Sequence, residues 1–166
     1  MGKAEENKQH KRLSLLNTAF ELFTTKGVNK TSISEISEQA GIAKGTFYLY
    51  FKDKYDIRNK LISHQSGLVL SKALDDLKES RIEEQYSGLE GFKKTFLFIA
   101  DNVINQFTEN KALLTFISKN LSWAIFKKAL TTNSADDSID FRQAYYSLIE
   151  RSGIQFKEPE IMPVSY

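Results

Sequence analysis

The chain has 166 residues, 41% of them hydrophobic and 27% charged, with a formal net charge of +2. This is the balance of a globular chain long enough to bury a core. With no cysteine and only two distant histidines, His10 and His64, it has neither a disulfide framework nor a metal-ligand spacing, so no metal and no cofactor are expected.

No run approaches the ~18 apolar residues of a membrane span. The start, MGKAEENKQHKR, is charged, lacks the apolar stretch of a secretory signal, and lacks the Ser or Thr of a myristoylation site. A cytoplasmic protein with no membrane partner is therefore expected. The charge is uneven. Residues 1–60 carry 11 Lys and Arg against 7 Asp and Glu, and residues 61–166 carry 12 against 14. This pattern reads as a basic module ahead of a mildly acidic one, with nucleic acid as a candidate partner of the first.

Pro159 and Pro163 are the only prolines, and no segment sustains period-2 alternation, so the expected fold class is all-α. A first helix is expected from about Asn7 to Thr25, with Leu16, Ala19, Phe20 and Phe23 as its apolar stripe and Gly27 as its stop. Ser32 followed by Glu35 is a capping box that opens a second helix of about eight residues, ended by Gly41. Lys44 to Phe51 forms a third. Asp53 caps a long fourth helix from Lys54 to about Glu79, with Asp56 at the box position. Ser80 to Gly88 reads as irregular. A fifth helix runs from about Leu89 to Phe107, and a further helical region from Lys111 to about Leu130, broken near Asn120. TTNSADDS is a polar loop, Asp140 to Arg151 is helical again, and Pro159 stands near the start of a last helix.

Thr46-Phe47-Tyr48-Leu49-Tyr50-Phe51 is composed like a strand, but a lone strand has no partner in a helical chain. Wound as a helix, it puts Phe47 and Phe51 on one face at i, i+4. Thr46, Leu49 and Tyr50 then face away from the core, with Lys44 and Gly45 at the N-terminal end. Two short helices joined by a tight glycine turn make a helix-turn-helix, here over about residues 32–51. In that motif the second helix enters the DNA major groove. Lysine and the threonine and tyrosine hydroxyls suit phosphate, leucine suits a thymine methyl, and glycine permits close backbone approach.

The segment TSISEISEQAGIAKGTFYLYFKDKYDI, Thr31 to Ile57, resembles the N-terminal domain of the TetR family of bacterial transcriptional regulators. The upstream LLNTAFELFTTKGVNKTSI is similar to that family's first helix and following loop, with Ala19, Phe23 and Lys26-Gly27 in place. Ala43 stands where the family often has a serine helix cap. The resemblance implies that Lys44, Gly45 and Thr46 meet the groove, and Leu49, which the helical reading turns away from the core, is left for DNA beside them. It further implies that Tyr48, Tyr50, Thr31, Ser32 and Lys54 hold phosphates and that Ser34 reads a base. For Ser32, a plain helix cap explains the residue equally well. The expected domains are a DNA-binding domain over residues 1–53 and a helical effector-binding and dimerisation domain over residues 54–166. The second is expected to be incomplete, because the chain ends about where the family's dimer-forming helices begin.

The second domain is rich in aromatic residues. Phe96, Trp123, Phe126 and Tyr145 are candidate walls of a ligand pocket, although aromatics at helical spacing are core more often than pocket. Asn102 and Asn105 could orient a ligand, and solvent exposure is their simpler account. The expected function is a repressor that binds a double-stranded palindromic operator as a homodimer and is released by a small, largely apolar effector. A helical protein-interaction regulator without effector binding is one alternative. A helical enzyme is another, for which no nucleophile, paired histidines or phosphate loop speaks.

Overall fold

The computed structural model describes residues 2–122 and Glu150. Trp123, Phe126, Tyr145 and the elements expected after residue 122 lie outside the described residues. The described residues are helical, with no strand among them. By contact density the chain divides into two compact units. One holds Met1–Ile62 with Thr115–Asn120, and the other is built around Ser63–Leu114.

In the first unit, α1 spans Lys3–Lys26 and so begins four residues before the expected start. Its first turns are charged and exposed and carry no apolar signal. Glu5 and Glu6 nevertheless lie where negative charge favours a helix N-terminus. The stripe buries Leu15, Leu16, Ala19 and Phe23, while Phe20 is only half-buried. α2, Ile33–Ala40, is framed as expected: Ser32 Oγ accepts from Glu35 N at 3.1 Å, and Ser32 N donates to Glu35 Oε2 at 2.8 Å. Gly41 closes it at φ 69°. Gly41 N donates to Glu38 O and Ile42 N to Ser37 O, so the turn is a Schellman motif that a side chain at Gly41 would strain.

α3 spans Lys44–Tyr50, a helix where local propensity favours a strand. Phe47 and Phe51 are almost wholly buried, together with Ile36, Ile57 and Leu61. Burying two phenylalanines outweighs the sub-kcal differences of intrinsic propensity. The Arg12 guanidinium lies 5.8 Å from the Phe51 ring centroid, and Lys60 Nζ lies 5.5 Å from it. α4, Lys54–Ser80, starts on Asp53, whose Oδ1 accepts from Tyr55 N and Asp56 N at 2.8 Å each. Asp56 reaches back one residue further than a standard box, accepting from Lys52 N at 2.9 Å.

The stretch expected to be irregular contains a short helix, α5, Ile82–Gln85, in the second unit. It follows Arg81 at φ 55°, a left-handed conformation usually given to glycine or asparagine. Ser80 supports the bend, donating to Leu77 O at 2.6 Å and accepting from Ile82 N at 3.3 Å. α6 spans Gly88–Glu109. Gly91 lies so close to Tyr86 that a Cβ there would sit 2.8 Å from its carbonyl oxygen.

Ala73, Leu74, Leu77 and Ile99 form the core of this unit, with Leu70, Ile82, Phe98 and Val103 against it. Beside it, Asn102 donates to Asp76 Oδ2 at 2.7 Å, and Gln106 donates to Asn102 Oδ1 at 2.7 Å and to Val69 O at 2.9 Å. Asn102 is thus half-buried and tied between helices, beyond what simple solvent exposure would give. Asn105 is exposed and donates to Asp101 at 3.2 Å. α7, Lys111–Asn120, begins at Asn110, whose Oδ1 accepts from Leu113 N, and stops at the expected break. Within the first unit, Phe116 near the end of α7 lies 5.7 Å from Phe20, edge to face, and 6.3 Å from Phe23, stacked.

Candidate nucleic-acid interface

α3 has two faces. The inner one is Phe47 with Phe51 beyond the helix end, their rings 5.5 Å apart. The outer one carries Lys44, Gly45, Tyr48 and Leu49, all exposed, with Thr46 and Tyr50 half-buried at its edges. Leu49 is 79% exposed and Tyr48 51%. Nothing lies within 4 Å of where a Cβ on Gly45 would be, so this end of the helix is open to close approach.

Tyr48 is held by its ring, edge-on to Phe47 at 5.5 Å, which leaves the phenol free to point outward. Ala43 makes no side-chain cap at the start of α3. The first N–H groups of the helix are therefore left without a side-chain acceptor from the cap position.

Beside α3 lies an open hollow of about 530 Å³. Thr31, Ser32 and Ser34 around the start of α2, Lys44 and Tyr48 from α3, and Lys54 from α4 all line it, so six of the residues named from the sequence meet in one place. Lys54 Nζ reaches Asn29 O at 3.4 Å and has no carboxylate partner among the described residues. The Ser32 oxygen caps α2, as its plain reading requires, and its hydroxyl hydrogen remains available to an acceptor.

Thr31 is placed differently from the expectation. It is 2% exposed, and its hydroxyl donates to Gly27 O at 2.8 Å, so its proton serves the loop after α1 and not a phosphate. Glu35 is bound by Lys26 as well as by the Ser32 amide. The Lys26 ammonium, and then the backbone N–H of Ser32, hold its carboxyl below the usual glutamate range. The α2 cap, which borders the hollow, is thereby tied to the last turn of α1.

Asn29, Lys30, Asp53 and Tyr55 also line the hollow, although the sequence pattern does not single them out for this surface. A lysine directly before Thr31-Ser32 was the signal for Lys30. Tyr55 gave none, because its place depends on how α4 sits against the start of α2. Of the pocket candidates, Phe96 is exposed on α6, with Phe92 6.3 Å away.

Residues 15–61 match the family model described as bacterial regulatory proteins, tetR family. Residues 15–61 thus match a TetR-family N-terminal domain. The chain is 31% identical over 97 residues to the fatty acid metabolism regulator protein of Bacillus subtilis, covering 58% of this chain and 50% of that protein. It is 40% identical over 58 residues to the transcriptional regulator AcrR of Shigella flexneri, covering 35% of this chain and 25% of that one. The chain thus spans half or less of these curated relatives. The fold is similar to that of a TetR-family transcription regulator from Marinobacter aquaeolei VT8, with a TM-score of 0.58 at 17% identity over 89% of this chain and 69% of that one. It is also similar to the fatty acid degradation regulator FadR from Bacillus halodurans, with a TM-score of 0.56 at 17% identity over 92% and 67%. The matched residues 15–61 of the TetR domain take in α2, α3 and the start of α4, hence the hollow and the outer face of α3. Among the described residues, no helix is long and apolar enough to cross a membrane.

Proposed function

We propose that this chain is a DNA-binding transcriptional regulator of the cytoplasm, a repressor that leaves a palindromic operator when a small effector binds. The observation that carries the reading is the outer face of α3. Leu49 and Tyr48 are large side chains left in water beside Lys44 and Gly45, on a helix whose other face is fully packed. Such exposure is unfavourable in isolation and useful in a groove, where a leucine meets a thymine methyl and tyrosine and lysine meet phosphates. Residues 1–53 would form the DNA-binding domain, with Lys44, Gly45, Thr46 and Leu49 towards the bases. Tyr48, Tyr50, Ser32 and Lys54 would hold the backbone, and Ser34 would stand at the groove edge.

Residues 54–166 would carry effector binding and dimerisation. A dimer is what a palindromic site requires. Two of the similar proteins are named for fatty acid metabolism or degradation, which favours an effector with a long apolar chain. Effector binding would act by favouring a spacing of the two recognition helices that no longer fits successive grooves.

The test is binding to the DNA upstream of the chain's own gene. The Thr46→Ala, Tyr48→Ala double variant should lose most of its affinity and its preference for that DNA over a random duplex. Retention of both would sink the assignment of α3 as the recognition helix.

A further inference from the structure

We infer that Lys30 and Tyr55 extend the grip on DNA beyond the recognition helix, closing one seat for a backbone phosphate with Lys44 and Lys54. The inference rests on the DNA-binding reading and adds two residues that the family's motif does not supply.

The hollow draws on three segments: the loop leading into the first turn of α2, α3, and the start of α4. Each brings one ammonium group to it, Lys30, Lys44 and Lys54 respectively. Lys26, four residues before Lys30, is neutralised by Glu35. Lys30, Lys44 and Lys54 have no carboxylate partner among the described residues. The one carboxylate in the wall, Asp53, has its Oδ1 engaged by the N–H groups of Tyr55 and Asp56. The concavity is therefore cationic, open to solvent and bordered by hydroxyls. A phosphodiester is small beside its volume, and a concave wall of like charge concentrates anions.

Tyr55 is half exposed, and two cations lie near its ring. Lys54 Nζ is 5.5 Å from its centroid and the Arg58 guanidinium 5.2 Å. Those contacts hold the ring at the rim. The phenol hydroxyl is then left to donate to a phosphate oxygen. Lysine and tyrosine thus make distinguishable contributions. A lysine on phosphate releases a counterion and contributes to the salt dependence of binding, whereas a phenol does not.

The experiment uses the full chain, with the duplex upstream of its gene and a random-sequence duplex of equal length, across a salt series. Lys30→Ala should reduce the slope of log K against log salt by about 0.9, with equal loss on both duplexes. Tyr55→Phe keeps the ring and its cations, and should weaken binding about threefold at every salt concentration with the slope unchanged. Lys78→Ala, exposed on α4 in the other unit, should change neither. A wild-type slope in Lys30→Ala overturns the inference while leaving the recognition helix standing. So does loss of inorganic phosphate binding in Lys30→Ala without any change in its DNA slope, which would assign the hollow to a free anion. If the wild-type chain has no salt-dependent affinity for either duplex, the DNA-binding reading itself falls.

Discussion

The two units treat large apolar side chains in opposite ways. In the first, Leu15, Leu16, Ile36, Phe47, Phe51, Ile57 and Leu61 are almost wholly buried, and the apolar exposure of its short helices is concentrated on the outer face of α3. In the second, α6 leaves Leu89, Phe96, Leu97 and Ile104 between 61% and 69% exposed. The same helix holds Thr95 inside and ties Asn102 and Gln106 to α4 through Asp76 and Val69 O. Exposed apolar surface in the first unit is thus gathered on one helix face, the face proposed to read a groove. In the second it runs along a whole helix, beside a polar ladder. The difference teaches that the first unit keeps its polar ties at helix ends and loops, as between Lys26 and Glu35, whereas the second runs hydrogen bonds along the α4–α6 seam beside its core.

The sharpest way to break this comparison is within α3 itself. Phe47→Ala should cost about 3–5 kcal/mol in urea unfolding, as large-to-small changes of buried phenylalanines do, and should remove DNA binding with it. Leu49→Ala, two residues on, should leave stability within about 0.5 kcal/mol of wild type and affect only DNA affinity. Equal destabilisation by both would mean that α3 does not have two functionally separate faces.

A smaller loss is expected from Gly91→Ala in the second unit. The new methyl would meet backbone, the Tyr86 carbonyl, which cannot swing aside as a side chain can. Overpacking of this kind costs about 1–3 kcal/mol. Thermal unfolding that is unchanged would show the α5–α6 turn to be softer than its geometry suggests.

Smaller again is Ala43→Ser. It would supply the cap that α3 lacks and should raise stability by about 1 kcal/mol, read as a shift in the urea midpoint. The two units should also part slightly in acid. Glu35 is held low by Lys26 and then by the Ser32 amide, and Asp76 by Lys72 and then by Asn102. A carboxyl with a depressed folded pKa stabilises above its unfolded value, and that contribution is lost as the pH falls through the folded one. Unfolding should therefore become easier below the ordinary carboxylate range, about pH 4. Glu35→Gln should flatten that dependence in the first unit and Asp76→Asn in the second. Both effects are small because the pairs are exposed.

The first unit was readable because its signals are local. Ser32 with Glu35 marks one end of α2 and Gly41 the other, and the i, i+4 spacing of Phe47 and Phe51 overrules strand-like composition. The start of α1 was missed because a charged, exposed helix has no periodic stripe to read. α5 was missed because Arg81 adopts a conformation for which the sequence offers neither glycine nor asparagine. Asn102 reads as a surface residue until Asp76, 26 positions earlier, is brought alongside it. Thr31 looked like a phosphate ligand by position. Only the fold reveals that its hydroxyl turns inward to Gly27 O.

The ring cluster of Phe20, Phe23 and Phe116 bears on how this protein can be dissected. Residues 115–120 are distant in sequence from the helix-turn-helix, yet they belong to its compact unit. A fragment cut after Ile62 would keep the outer face of α3 and the hollow but uncover the phenyl rings of Phe20 and Phe23, leaving a sticky apolar patch. Such a fragment should be handled with Phe20 and Phe23 replaced by polar residues, or with a peptide carrying Thr115–Asn120 supplied in trans.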